Sequence, residues 1–184
     1  ATIANEYRLG NSGVRADLAI LDKSFIGIEI KSPKDSLRRL ATQLKSYDLY
    51  FDLTILVVAE KHLPNLEVDL STVELWTVSD RGKLKTVSKP TRARSKELRK
   101  NLADLLPVRQ RRRIQESAQS FIAGNLEMEL FERYFRNRFS TTSKNFWQAS
   151  STNNLGSADL SSLSVYKPLR INALARAQQR ARVF

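Results

Sequence analysis

The chain has 184 residues, of which 41% are hydrophobic and 27% charged, as is typical of a globular domain. It contains no cysteine and one histidine, which excludes a disulfide scaffold, a cysteine nucleophile and a zinc site built from thiolates or several imidazoles. The formal net charge of +12 favours a polyanionic partner. No apolar stretch approaches the ~20 residues of a membrane span, and the first residues show no signal peptide, so we expect a cytoplasmic protein.

The positive charge is concentrated in the second half of the chain. Residues 1–90 hold 13 Lys or Arg and 12 Asp or Glu, whereas residues 91–184 hold 18 and 7. This asymmetry predicts a chemistry-bearing core over 1–90 and a basic, mainly α-helical extension over 91–184 that binds nucleic acid. A solvated basic surface without a partner is the alternative.

The first elements in chain order are a helix end and a hairpin. Residues 2–9 are predicted as the end of a helix that closes at Gly10. Two strands, 15–21 and 25–31, flank a three-residue turn and therefore form an antiparallel hairpin. In the second strand Ile26, Ile28 and Ile30 alternate onto one face.

A helix, a buried strand and a second hairpin follow. Ser32 is suited to cap a helix that begins at Pro33, with Asp35 in its first turn. The apolar face of this helix recurs at three- and four-residue steps: Leu37, Leu40, Leu44, Tyr47 and Phe51. The strand 53–59 is almost entirely apolar and is expected in the middle of a sheet. Residues 73–78 and 84–87 form the later hairpin, and the whole order indicates an α/β layer fold.

The second half is predicted to be helical with a polar loop. We expect a helix from Ser95 to Leu106, then a long helix or helix pair over 108–139. Residues 140–164 are rich in Ser, Thr and Asn and predict a loop, and 168–184 are weakly amphipathic.

Two carboxylates and one ammonium can meet at the end of the first hairpin. Residues two apart in a strand share a face, so Glu29 and Lys31 project together, away from the isoleucines, with Gly27 leaving open space beside them. Hairpin pairing brings Asp17 close to Glu29. Neighbouring carboxylates repel unless a cation joins them, and Mg²⁺ takes one or two carboxylates while leaving room for a phosphate. Lys31 is then placed to orient a water or to stabilise a phosphate as charge builds.

The following helix adds two more polar groups. Gln43 and Tyr47 are four residues apart and lie on one helical face. Both can hydrogen-bond to a phosphate or a metal-bound water, although Tyr47 also fits a core position.

These residues resemble the PD-(D/E)XK nuclease superfamily. The pattern consists of Asp17, the segment Glu29-Ile30-Lys31, and the spacing Gln43 to Tyr47, which is similar to the RecB and lambda-exonuclease branch. The surrounding residues look like a family of small bacterial and phage proteins in this superfamily. The resemblance covers roughly residues 5–60 and departs from the full pattern at Ala16, where many members have proline.

The resemblance implies a restriction-endonuclease-like core, a mixed β-sheet flanked by helices. It also implies that Asp17, Glu29 and the backbone carbonyl of Ile30 bind Mg²⁺ or Mn²⁺, that Lys31, Gln43 and Tyr47 act in catalysis, and that Glu6 on the first helix adds to the metal site. Glu6 is equally well explained as an exposed helix residue.

The basic extension supplies candidate nucleic-acid contacts. They are Arg109, Arg111, Arg112, Arg113, Arg133, Arg136 and Arg138. The aromatic pair Phe146 and Trp147 can stack on a base or anchor the loop. His62 is interpreted as a surface loop residue and Trp76 as packing.

The pattern favours a Mg²⁺-dependent nuclease that acts on DNA, with endonuclease or exonuclease action undecided. The alternatives are an inactive nucleic-acid-binding protein and a structural or assembly protein that retain the nuclease fold. We expect no membrane partner, and both a monomer and a homo-oligomer are compatible with the sequence.

Overall fold

The computed structural model describes residues 1–92, 102–117, 123–150 and Leu163. Six strands form one sheet: β1 (Thr2–Arg8), β2 (Arg15–Leu21), β3 (Phe25–Lys31), β4 (Leu53–Ala59), β5 (Val73–Val78) and β6 (Leu84–Ser88). The helices in these ranges are α1 (Leu40–Asp48), a 3-10 helix (Glu60–Asn65), α2 (Val108–Ser117) and α3 (Ala123–Ser150). The α/β class predicted from the sequence is confirmed.

The strands lie in the sheet in the order of the chain, β1 to β6. β3, β4 and β5 run parallel, while β1–β2, β2–β3 and β5–β6 are antiparallel. Both predicted hairpins and the central position of the apolar strand β4 are thereby confirmed. Parallel strands need crossover connections, and α1 supplies the one between β3 and β4.

The prediction of a helix over residues 2–9 was wrong, because this segment is the edge strand β1. It pairs with β2 from Thr2 opposite Leu21 to Arg8 opposite Arg15. The register omits Glu6, whose φ of 48° lies in the left-handed region. The distortion breaks the simple alternation of an edge strand, so that Ala4 and Tyr7 both contact the larger hydrophobic cluster. That irregular spacing of apolar residues imitated a helical pattern.

The helix after β3 begins at Leu40, seven residues later than predicted. Ser32 and Asp35 instead close a turn: the Ser32 amide donates to Asp35 Oδ2 at 2.7 Å, and the Asp35 amide donates to the Ser32 carbonyl at 3.1 Å. A carboxylate three residues after a serine therefore serves a turn here rather than a helix start. The predicted apolar face is confirmed from Leu40 onward, with Leu40, Leu44 and Tyr47 buried.

The larger hydrophobic cluster lies between the sheet and the helical second half. Phe25, Tyr7 and Phe51 from the first half pack with Phe131 and Phe135 of α3. Residues 102–106 add Leu102, Leu105 and Leu106 to the same cluster. The described part of 91–184 thus shares its core with 1–90, although a boundary near residue 90 remains a prediction.

The helix pair predicted over 108–139 is present as α2 and α3, but α3 continues through residues predicted as a loop. Ser143 accepts a hydrogen bond from the Ile3 amide at 2.8 Å and donates one to the Ile3 carbonyl at 2.9 Å. Phe139, Ser143 and Phe146 are buried on one side of this extension. Contacts with β1 therefore stabilise a helix in a polar sequence. The predictions for residues 95–101, 151–162 and 164–184 lie outside the described residues.

Candidate active site on β2, β3 and α1

The carboxylate of Glu29 is the centre of a buried polar cluster. It is 1% exposed and accepts three hydrogen bonds. Lys31 Nζ donates to Oε1 at 2.6 Å, Gln43 Nε2 donates to the same oxygen at 2.5 Å, and the Tyr47 hydroxyl donates to Oε2 at 2.6 Å. Lys31 Nζ also donates to Gln43 Oε1 at 2.9 Å. The structure therefore brings together four of the residues that the sequence singled out.

Strand and helix periodicity place these groups, but the surroundings differ from the prediction. Glu29 and Lys31 share the face of β3 that lies under α1, and this face is more buried than the one carrying Ile26, Ile28 and Ile30. The expected open space at Gly27 is absent, because a Cβ built there would lie 2.3 Å from the Phe51 ring. Gly27 thus permits the aromatic ring to pack directly on β3, beside the site.

Asp17 lies next to the cluster on the neighbouring strand. The paired residues of β2 and β3 run only to Leu18 opposite Ile28, and beyond them Asp17 Oδ2 accepts a hydrogen bond from the Ile30 amide at 2.7 Å. Burial, and next the negative charge of Glu29, raise the pKa of Asp17 to about 6. Glu29 is therefore close enough to Asp17 for its negative charge to oppose ionisation of Asp17.

Glu6 approaches the same carboxylates from β1. The pairs on either side of it, Asn5 with Leu18 and Tyr7 with Ala16, place it opposite Asp17. Its charge is the smallest of the influences that raise the pKa of Asp17. Glu6 is exposed and lies 3.8 Å from Arg15. It belongs to a strand rather than to the predicted helix, at the outer margin of the site.

The oxygen atoms at this place fit a hard divalent cation by their chemistry. An amide and a carbonyl of one strand residue point to the same side, so the Ile30 carbonyl faces β2 as its amide does. Asp17, Glu29 and this carbonyl form the donor type that Mg²⁺ accepts, and a cation would offset the burial and the repulsion by Glu29 that raise the pKa of Asp17. Among the described residues no group of three or more Asp, Glu or His side chains is arranged to hold a metal ion.

His62 is a residue whose position the sequence did not reveal. It is buried, 8% exposed, and its Nε2 lies 2.8 Å from the Ser32 carbonyl. This carbonyl follows Lys31 directly and also accepts from the Asp35 amide. The interpretation as a surface histidine was wrong, because the 3-10 helix after β4 places His62 against the residue that follows β3. No local pattern in the sequence indicates this long-range contact.

The predicted nucleic-acid-binding arginines are dispersed over α2 and α3. Arg109, Arg112, Arg133 and Arg138 are exposed. Arg111 is half-buried, and within the described residues its Nε has no hydrogen-bond partner. The side chain of Arg113 lies outside what the structure describes. Their role in binding stays a prediction.

Arg136 and Arg138 have structural contacts of their own. Arg136 donates to the Asp22 carbonyl at 3.2 Å and lies 3.7 Å from Glu132, which ties α3 to the turn between β2 and β3. The guanidinium of Arg138 lies 5.6 Å from the centre of the Phe139 ring.

The aromatic pair predicted in a loop lies on α3. Phe146 is buried against Ile3 and Leu163, which agrees with the anchoring alternative for this residue. Trp147 is 44% exposed, and its indole N–H donates to the Ala1 carbonyl at 3.1 Å. Trp76 is half-buried in β5, and its indole N–H donates to Glu74 at 2.9 Å.

A family model described as bacteriophage P4 protein cII matches residues 1–164. The chain belongs to this family. The match spans the sheet, the candidate site and α3, and it supports the prediction of a phage origin. No helix in the described ranges is long and apolar enough to cross a membrane.

One curated relative within this family is Protein cII of Enterobacteria phage P4. It is 37% identical over 93 residues, which cover 48% of this chain and 35% of that protein. The chain therefore matches about a third of the length of its relative. The name of the relative states no activity, so the resemblance to nucleases remains a prediction.

Among solved structures, the chain is similar to SPO1766, a protein of unknown function from Silicibacter pomeroyi. It is 19% identical, covers 61% of this chain and 76% of its own, and has a TM-score of 0.40.

Proposed function

We propose that this chain is a metal-dependent nuclease with a restriction-endonuclease-like core, which hydrolyses phosphodiester bonds in DNA. The observation that carries the proposal is the approach of Asp17 and Glu29 on adjacent strands, with Lys31 beside them. Two neighbouring carboxylates beside a buried ammonium are costly for the stability of the fold. Such arrangements are concentrated at functional sites.

The residues that would hold a divalent cation are Asp17, Glu29 and the Ile30 carbonyl. When bound, Mg²⁺ or Mn²⁺ lowers the pKa of a water and stabilises the leaving oxygen of a phosphodiester. Glu6 lies on β1, next to β2, and adds negative potential at the outer margin of the site. The carboxylates must be ionised to do this, which the pKa of Asp17, about 6, permits at neutral pH.

The other polar residues orient the site. Gln43 and Tyr47 fix both oxygens of Glu29 from the α1 side, so that the carboxylate does not change rotamer. Lys31 is held by Glu29 and Gln43, and it supplies positive charge where the phosphate acquires negative charge during hydrolysis. Preorganisation of this kind lowers the barrier because no reorientation is needed during the reaction.

The charge of the chain suits the same substrate class. A net charge of +12 gives affinity for a phosphate backbone through counterion release. We therefore infer a nucleic-acid partner in the cytoplasm of a bacterial host.

The decisive experiment is a cleavage assay on linear duplex, circular plasmid and single-stranded DNA. The protein is tested with Mg²⁺, with Mn²⁺ and with EDTA. Asp17→Asn is compared with Asp80→Asn, which removes the same charge from an exposed turn between β5 and β6. We expect cleavage only with a divalent cation, a loss of at least about 100-fold in Asp17→Asn, and none in Asp80→Asn. Cleavage that persists in EDTA or in Asp17→Asn would refute the assignment.

A nucleic-acid-binding protein without catalysis is the second candidate. The specific observation in its favour is that Lys31, Gln43 and Tyr47 already engage both oxygens of Glu29. In that case the chain binds DNA, yet neither Mg²⁺ nor Mn²⁺ produces nicking or shortening of any of the three substrates.

A further inference from the structure

Arg39 immediately precedes α1 as its N-cap residue and continues the row of α1 residues that faces the site. The Gln43 amide donates to the Arg39 carbonyl at 2.9 Å, so the two residues are one helical turn apart. Arg39, Gln43 and Tyr47 therefore succeed one another at four-residue steps, with Cβ atoms about 5–6 Å apart. Tyr47 is fully buried, Gln43 is half-buried and Arg39 is exposed. Arg39 thus forms the solvent end of a row whose inner members bind Glu29.

A pair of cations lies on the other side of the site, on β1 and β2. Arg8 and Arg15 are direct cross-strand partners, and both are exposed. Like charges directly opposite each other destabilise a strand pair, and a bound anion would relieve this repulsion. Among the described residues, Arg8 Nε donates to the Gly10 carbonyl at 3.2 Å and Arg15 lies 3.8 Å from Glu6, and such contacts between exposed groups contribute little. Arg15 also precedes Asp17 by two residues on β2, a distance of about 7 Å.

Arg136, one of the arginines on α3 that the sequence predicted to bind nucleic acid, lies farther from Asp17. Arg136 contacts Asp22, which directly follows β2, whereas Asp17 lies near the beginning of that strand. Five residues of extended chain separate Asp17 from Asp22, about 17 Å. Arg15 on β2 therefore lies nearer Asp17 than Arg136 does.

We propose that Arg39 on one side, and Arg8 with Arg15 on the other, bind the phosphates that flank the reacting phosphodiester. A polynucleotide strand then crosses the end of β3 from α1 towards β1, over Asp17 and Glu29. The inference rests on the proposed function, since it assigns the substrate contacts of that site. The recognised chemistry is a chain of phosphodiesters, common to DNA and RNA.

The test measures binding separately from cleavage. Fluorescein-labelled 20-nucleotide single-stranded DNA, the same sequence as RNA, and the 20-base-pair duplex are titrated by anisotropy in EDTA at several NaCl concentrations. The triple variant Arg8→Gln/Arg15→Gln/Arg39→Gln is compared with the full chain. The control removes three cations from the exposed β5–β6 hairpin, Arg81→Gln/Lys83→Gln/Lys85→Gln. Both triple variants lose the same charge, and circular dichroism melting checks that they fold.

We expect the arginine triple variant to bind about tenfold more weakly at 0.15 M NaCl, with a slope of log Kd against log[NaCl] reduced by roughly two. In the hairpin control, the changes in log Kd and in the slope should each be at most about a third of those in the arginine triple variant. Comparison of the DNA and RNA arms shows which sugar the site prefers. Equal losses in both triple variants, an unchanged slope, or absence of binding by the full chain would each overturn the inference.

Failure of the inference is distinguishable from failure of the proposed nuclease function. If the full chain binds through the three arginines but never cleaves with Mg²⁺ or Mn²⁺, the catalytic assignment fails and the binding site stands. If it cleaves, and the arginine triple variant cleaves and binds as the full chain does, only the inference fails.

Discussion

Lys31 Nζ lies 2.6 Å from Glu29 Oε1 in an ion pair that is almost completely removed from solvent. The sequence predicted open space beside both residues at Gly27, but both side chains are buried under α1. A buried charge that loses its partner is strongly destabilising, whereas removal of both charges costs much less.

We therefore predict that Lys31→Met lowers the free energy of unfolding by about 3–5 kcal/mol. The double variant Glu29→Gln/Lys31→Met should cost less than the sum of the single variants, with a coupling of about 1–3 kcal/mol. Urea unfolding of the four proteins measures this. The exposed pair Glu132 and Arg136, at 3.7 Å, is the control, and its coupling should stay below about 0.5 kcal/mol. If the changes in unfolding free energy at Glu29 and Lys31 are additive, the two residues do not form a buried ion pair.

The pKa of Asp17 predicts a pH-dependent stability without divalent cations. Because burial and the charge of Glu29 raise this pKa from 3.8 to about 6, the folded state favours the protonated form. The favourable contribution is present below the unfolded pKa and is lost as the pH rises through 6. At pH 8 Asp17→Asn should therefore stabilise the protein, by about 1–2 kcal/mol after allowance for partial exposure.

The measurement is the melting temperature of both proteins in EDTA from pH 4 to pH 8. The advantage of Asp17→Asn should shrink between pH 6 and pH 4, and Mg²⁺ at pH 8 should stabilise only the wild-type chain. A difference in melting temperature that does not depend on pH would show that ionisation of Asp17 does not destabilise the folded state.

The contact between Gly27 and Phe51 makes a prediction about packing beside the site. A Cβ at position 27 would lie 2.3 Å from the Phe51 ring, so Gly27→Ala forces the ring or the strand to move. We expect a loss of about 1–3 kcal/mol in unfolding free energy. The second substitution Phe51→Leu should recover part of the loss, although alone it destabilises. Gly82→Ala is an unsuitable control because its φ is 75°, so Ala41→Gly on the exposed side of α1 serves to estimate the glycine effect itself. A fully tolerated Gly27→Ala would mean that the Phe51 ring does not pack directly on β3.

The shared core predicts that α3 cannot be removed as a separate domain. Phe131 is fully buried, and its ring centre lies 4.8 Å from that of Phe25 on β3. Phe131→Ala should destabilise the protein by about 3–5 kcal/mol. Trp147→Ala, on the exposed side of the same helix, should cost considerably less. Thermal or urea unfolding with a single cooperative transition would support one folding unit, and two independent transitions would oppose it.

The sequence by itself determined the local elements with a simple period. Alternating and apolar runs located five of the six strands, and the four-residue steps of α1 located its buried face. The two-residue spacing was sufficient to place Glu29 and Lys31 on one face of a strand. The four-residue spacing was sufficient to place Gln43 and Tyr47 on one face of a helix. These groups required only the geometry of one strand and one helix.

Only the tertiary structure decided the features that depend on distant parts of the chain. β1 is a strand because it pairs with β2 and packs against α3. Residues 140–150 are helical because Ser143 and Phe146 contact Ile3 and its neighbours. Burial of Glu29 and Lys31, and the contact of His62 with Ser32, likewise result from how α1 and the segment after β4 cover β3. Local propensity is too weak to determine such contacts, since the stabilising energy comes from packing between segments far apart in the chain.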